Sequence, residues 1–154
     1  MFRYLAVAVI GLLLPLLSSA QCLTTPAPNP PFVPPAPYPS SAPDGQFWYG
    51  TDALWTLLGV DGKWDMRGNV YTTKLVFWRR GFDARKEPEP KLIVTGKRLD
   101  GDAPSVAVSH ANAVFVTGNT PAMMTGIDIL TAGCWELTGH YKGHTLTFIV
   151  SVEP

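Results

Sequence analysis

The chain of 154 residues has no excess of charge of either sign: 12 lysines and arginines stand against 12 aspartates and glutamates. No basic domain or single-sign tail is there to demand nucleic acid, so that partner is set aside. Charged residues are scarce at 16%, whereas apolar ones reach 46%, which excludes a disordered polyampholyte. No window holds a sustained helical period and no internal repeat is visible. With 15 prolines and 14 glycines, a helix bundle is excluded. The apolar run from Leu5 to Leu17 falls short of the roughly 20 residues that a membrane-spanning helix needs. Cysteine occurs only twice, at Cys22 and Cys134.

That short apolar run follows one cation, Arg3, and closes on Ser18-Ser19-Ala20. It reads as a signal peptide over residues 1–20, cut after Ala20 to leave Gln21 first, so an exported location, secreted or in the cell envelope, is expected. Cys22 then admits two readings that exclude each other. A cysteine just after such a run resembles the lipid-attachment site of bacterial lipoproteins, although Gln21 and Ser19 stand where a small and an aliphatic residue are usual. A lipid on Cys22 would be the protein's one tie to a membrane. In the other reading Cys22 pairs with Cys134, since two thiols in oxidising surroundings are usually joined.

Nine prolines fall between Pro26 and Pro43, a density that no helix or sheet interior tolerates. Residues 21–44 are therefore expected to run as extended polyproline II, reaching roughly 75 Å at about 3.1 Å per residue. With a lipid on Cys22 this segment is a stalk. With a bond to Cys134 it is a strap folded back on the domain, and the bond contributes on the order of 4 to 5 kcal/mol by restricting the unfolded chain.

Residues 45–154 hold short runs rich in Val, Ile, Thr and aromatics, broken by Gly, Asp, Asn and Pro about every ten residues, which reads as all-β. Strands are expected at Gln46 to Tyr49, Ala53 to Leu58, Lys63 to Met66, Thr73 to Arg79 and Lys91 to Leu99. Five more are expected at Ser105 to Ser109, Ala113 to Thr117, Ala122 to Leu130, Gly133 to Tyr141 and Thr145 to Val152. Leu146, Phe148, Val150 and Val152 recur at every second position, so one face of the final strand is core and the other wet. In the strand before it Trp135 and Leu137 share a face and Cys134 lies on the opposite, outward one. That parity argues against a buried inter-sheet disulfide and favours an external bond to a strap. The run Thr131 to Thr138 resembles the penultimate strand of immunoglobulin-like domains, where a glycine and a buried aromatic two residues on form a corner. Trp135 takes that aromatic's place, which implies an anchor and leaves the hydrogen bond of the usual Tyr open. The expected fold is an immunoglobulin-like antiparallel β-sandwich, preceded by the signal peptide and the Pro-rich segment.

Several stretches together carry a resemblance: Leu54-Trp55-Thr56, Asp61-Gly62-Lys63, Lys74 to Arg79, Leu92 to Asp100, and Gly133-Cys134-Trp135-Glu136-Leu137-Thr138-Gly139. They look like a family of uncharacterised exported bacterial proteins that share a Gly-Cys-Trp-Glu block and a cysteine near the mature N-terminus. The resemblance implies bacterial export, a sandwich and the cysteine pair, and it transfers no catalytic residue.

Constellations that could carry chemistry are thin. His140 and His144 flank a Lys142-Gly143 hairpin turn rather than sharing a helix face, and His110 adds no third ligand at useful spacing, so no metal is expected. Asp100-Gly101-Asp102, and Asp61 with Asp65, fit turn chemistry better than a calcium loop. Asp83, Glu87 and Glu89 lie beside Arg85 and Lys86 in a proline-broken loop, where nothing raises the pKa of one acid for glycoside hydrolysis. There is no Gly-x-Ser-x-Gly elbow, and no cofactor is expected.

What stands out is the placement of charge. Lys63 to Arg98 holds ten of the twelve basic residues against four acids, and its centre, Phe77 to Lys86, sets aromatics beside cations. Trp78, Arg79, Arg80, Phe82, Arg85 and Lys86 are the candidate ligand-binding residues, suited to an anionic or carbohydrate component of the envelope or to a protein partner. The competing reading makes Trp78 core and the cations a charged strand edge that blocks aggregation. A non-enzymatic binding module is the leading expectation. An envelope hydrolase assembled from loops and a purely structural domain are the alternatives.

Overall fold

The structure, a computed structural model, describes residues 21–116 and 119–154. The signal peptide assigned to residues 1–20 lies outside the described residues, as do Thr117 and Gly118 at one expected strand end and turn. Ten strands follow the Pro-rich segment: β1 (Gln46–Thr51), β2 (Leu54–Gly59), β3 (Lys63–Asp65), β4 (Tyr71–Trp78), β5 (Ile93–Arg98), β6 (Val106–Val108), β7 (Asn112–Val116), β8 (Thr120–Ile129), β9 (Gly133–Tyr141) and β10 (His144–Glu153). Each of the ten expected strands is present, with ends shifted by up to two residues. Among the described residues no helix is long and apolar enough to cross a membrane.

The strands form two five-stranded sheets packed as a β-sandwich, sheet A in the order β1-β2-β4-β8-β7 and sheet B in the order β3-β10-β9-β5-β6. One pairing departs from the all-antiparallel expectation: β3 lies parallel to β10, with Ser151 opposite Lys63. The chain reaches β3 by crossing from sheet A at the Asp61-Gly62 turn, which sets it along β10 in the same direction. The β9–β10 hairpin closes over Lys142 and Gly143, both at positive φ (47° and 79°), the two-residue turn whose twist matches the strands it joins.

The inner faces follow the alternation of the sequence. Leu54 and Leu58, Leu75 and Phe77, and Met123, Ile127 and Ile129 point inward from sheet A, against Val94, Trp135, Leu137, Phe148 and Val150 of sheet B. Two buried threonines are paired: Thr56 donates to the Val76 carbonyl at 2.8 Å and Thr125 to that of His110 at 2.7 Å. The sheets approach closely at Gly139, where a Cβ would stand 2.6 Å from the Phe77 ring. At the corner before β9 the Trp135 indole donates to the Thr131 carbonyl at 3.0 Å. That bond ties the Trp135 ring to the turn before β9.

The Pro-rich segment is a strap. Cys22 is bonded to Cys134, with Cα atoms 5.3 Å apart and 112 residues between them. Cys134 faces outward as its parity requires, yet it is only 6% exposed because the strap lies over it. Thr25 donates its N–H to the Ile149 carbonyl and accepts the Ile149 N–H on its hydroxyl, at 2.9 and 2.8 Å, covering backbone of β10 that β3 does not reach. The segment then passes to the outer face of sheet A. There Tyr38, with Phe32 and Ala42, packs on Trp48, Trp55, Trp78 and Ala122. Tyr38 stands edge-on to Trp55 at 5.0 Å and donates its hydroxyl to the Arg79 carbonyl at 3.1 Å. One segment therefore binds the outer faces of both sheets.

Candidate functional site

Residues 79–92 carry the chain from β4 in sheet A to β5 in sheet B, closing one end of the sandwich. Their sequence alternates: Phe82 and Ala84 are buried in the inter-sheet core, whereas Gly81 is exposed and Asp83 half-exposed. Backbone hydrogen bonds hold the connection in place, from Arg80 N–H to the Asp52 carbonyl at 3.0 Å and from Ala113 N–H to the Pro88 carbonyl at 2.8 Å. Asp83 folds a turn of its own, accepting the Arg85 N–H at 3.0 Å, as short acidic side chains do in turns.

Beside the β9–β10 turn this connection forms an open polar cleft of about 530 Å³, lined by Arg79, Asp83, Lys86, Glu87, Tyr141 and Lys142 around Phe82 and Gly81. Tyr141 is its floor. The Phe82 ring meets it edge-on at 6.3 Å, the Arg79 guanidinium lies 5.6 Å from its centroid and the Lys142 ammonium 5.1 Å. Glu87 gathers the opposite side, accepting from the Tyr141 hydroxyl at 2.7 Å and from Lys142 at 2.6 Å. Lys86 pairs with Asp83 at 3.3 Å. Arg79 has no ion-pair partner among the described residues, so the cleft holds three cations against two carboxylates.

Protonation follows from these contacts. Partial burial pushes the Glu87 carboxyl up, but the hydrogen bonds from Lys142 and Tyr141 and the Lys142 charge outweigh it and hold the group below its ordinary range. The Arg85 backbone N–H, with Lys86, holds Asp83 low as well. Tyr141 is raised, first by burial and then by its bond to Glu87, and Lys142 is raised by Glu87. At neutral pH the cleft therefore presents two carboxylates, a phenol and three cations, a set that can orient an anion by charge-assisted hydrogen bonds.

The six candidate residues fall in different places. Arg79, Phe82 and Lys86 line this cleft. Phe82 does so from beneath, 6% exposed, so it is a core residue supporting the site rather than a surface contact. Trp78 is 4% exposed, points to the opposite side of sheet A and packs edge-on against Trp48 at 5.2 Å, which is its competing reading as core. Arg80 is exposed and pairs with Asp52 at 3.4 Å. Arg85 is exposed beside Phe115 and Pro121, in a separate shallow depression. Tyr141, Lys142 and Glu87 complete the cleft beyond the ligand-binding candidates, since in sequence the first two read as a strand end and a turn and the third as an acid in a broken loop.

His140 and His144 are a half-buried strand residue, with Nε2 3.4 Å from the Thr95 hydroxyl, and an exposed one. Among the described residues no three His, Cys, Asp or Glu side chains are grouped to hold a metal ion. No protein-family model, curated protein or solved structure matches the chain.

Proposed function

We propose that the protein is an exported, non-enzymatic binding module that presents the cleft between residues 79–87 and the β9–β10 turn to an anionic partner of the cell envelope or its surroundings. The observation that carries this reading is Arg79: its guanidinium lies over Tyr141 without a carboxylate partner among the described residues, flanked by Lys86 and Lys142. Export is supported by the Cys22–Cys134 bond, which fits an oxidising compartment, and by the leader-like composition of residues 1–20. The resemblance carried by Gly133-Cys134-Trp135-Glu136 points the same way.

Titration calorimetry with polygalacturonate, a carboxylated polysaccharide, and with uncharged dextran tests the reading. Salt-sensitive binding of the first alone is expected, weakened at least tenfold when Arg79, Arg80, Arg85 and Lys86 are all changed to Gln. Equal binding by the quadruple variant, or turnover of any substrate in a broad hydrolase screen, would overturn it. Export itself is read from the intact mass of the mature protein. A chain starting at Gln21, two hydrogens light, is expected, whereas an acylated Cys22 would place the domain on a membrane.

A further inference from the structure

The outer face of sheet A has a second concavity. It is a groove of about 310 Å³ with Trp48, Leu57, Trp78 and Val116 as its floor and one side, and Pro39 and Pro43 of the strap as the other. That volume is at the small end of ligand pockets, about 300 to 1,000 Å³. None of the side chains around it is charged, so the anion chemistry of the other site has no counterpart here.

What fits this groove is shown by what already lies next to it. Trp55 holds the proline-rich strap through Phe32 and Tyr38, at 6.0 and 5.0 Å, and Trp48 and Trp78, which line the groove with Pro39 and Pro43, belong to the same apolar cluster. The groove continues that interface sideways: the strap's own prolines are its wall, and the floor is the same row of outward side chains, alternating from Leu57 in β2 to Val116 in β7. A polyproline II segment makes no internal hydrogen bonds and loses little entropy on docking, which is why aromatic-lined grooves recognise it. An apolar acyl chain would need a deeper, more enclosed space.

We infer that this groove binds a proline-rich extended segment of a partner protein, laid alongside the strap so that two such segments share one aromatic face. The inference is independent of the anionic site.

The experiment is a titration of the disulfide-intact protein with decaproline, followed by the side-chain indole N–H signals in NMR, with octanoate and maltohexaose in parallel. Saturable shifts of the Trp48 and Trp78 indoles are expected with decaproline at up to about 1 mM. Val116→Lys places a charge in the groove from edge strand β7, and Ser41→Trp fills it from the exposed rim of the strap. Each should weaken binding at least tenfold. Ser41→Trp leaves every sheet residue in place, so it stands as the test if Val116→Lys does not fold. No shift with decaproline, shifts confined to residues 79–87, unchanged binding by a folded variant, or saturation by octanoate or maltohexaose instead would each overturn the inference.

Discussion

The two sheets of this sandwich wear different outer faces. That of sheet B is polar: Thr138 and Thr147 share a hydrogen bond at 2.8 Å, His140 stands by Thr95, and the strap is tied to it through Cys22 and Thr25. That of sheet A carries Trp48, Trp55 and Trp78 and is roofed by Phe32 and Tyr38. Sheet B is an ordinary one-sided sheet, whereas sheet A is buried on both sides around Trp48, Trp55 and Trp78, like part of the middle layer of a three-layer domain. A segment with no regular structure of its own has supplied the third layer.

The contrast can be broken by substitution. The largest expected effect is Trp55→Ala, since this side chain is 0% exposed between β2 and the strap; a loss of about 3 to 5 kcal/mol in urea unfolding is expected. Replacing Cys22 and Cys134 together by Ser should cost about 2 to 5 kcal/mol by the same measurement, because the unfolded chain regains its freedom. If the bond alone holds the roof on, this double variant will also expose the tryptophans to a fluorescence quencher. If the aromatic packing suffices, they will stay protected. Tyr38→Phe removes the bond to the Arg79 carbonyl and should cost about 1 kcal/mol.

A fourth test concerns the open end of the sandwich. Because Glu87 titrates below its ordinary value when folded, its contribution to stability is present above the unfolded carboxylate range and is lost as the pH falls through the folded value. The stability difference between the native protein and Glu87→Gln should therefore shrink as the pH is lowered from 6 to 2, as followed by thermal unfolding. The smallest effect belongs to the polar face: Thr147→Ala should stay within about 0.5 kcal/mol, and a loss approaching that of Trp55→Ala would erase the distinction between the faces.

The same contrast explains what could be read in the sequence. In β10 the alternation from Leu146 to Val152 reports a strand with one wet side, and the parity of Cys134 against Trp135 correctly set that cysteine outside the core. In β2 the run Leu54-Trp55-Thr56-Leu57-Leu58 has no alternation to read, because both its sides are covered. The roof was thus invisible, although Phe32 and Tyr38, two large aromatics in a segment otherwise made of Pro, Ala, Ser and Thr, were its signature. At the cleft, Arg79 and Lys86 were legible as a local mixture of charge and aromatics. Glu87 meets Tyr141 and Lys142 across 54 and 55 residues of chain, and only the β9–β5 pairing brings those stretches together. Phe82 lines the cleft from the core side, and the alternation it shares with Ala84 is the sequence signal for that burial.

The strap's docking on β9 and β10 also dictates an order of assembly. A polypeptide is made from its N-terminus, so Cys22 and Thr25 exist long before Cys134 and Ile149, the residues that hold them. Until then the strap cannot be latched to sheet B. Strand β10 lies between β3 and β9, so sheet B cannot close until it arrives. The latch therefore acts as a mark of length: it forms only on a chain that has reached Cys134 and Ile149, and a chain truncated before them keeps Cys22 unpaired.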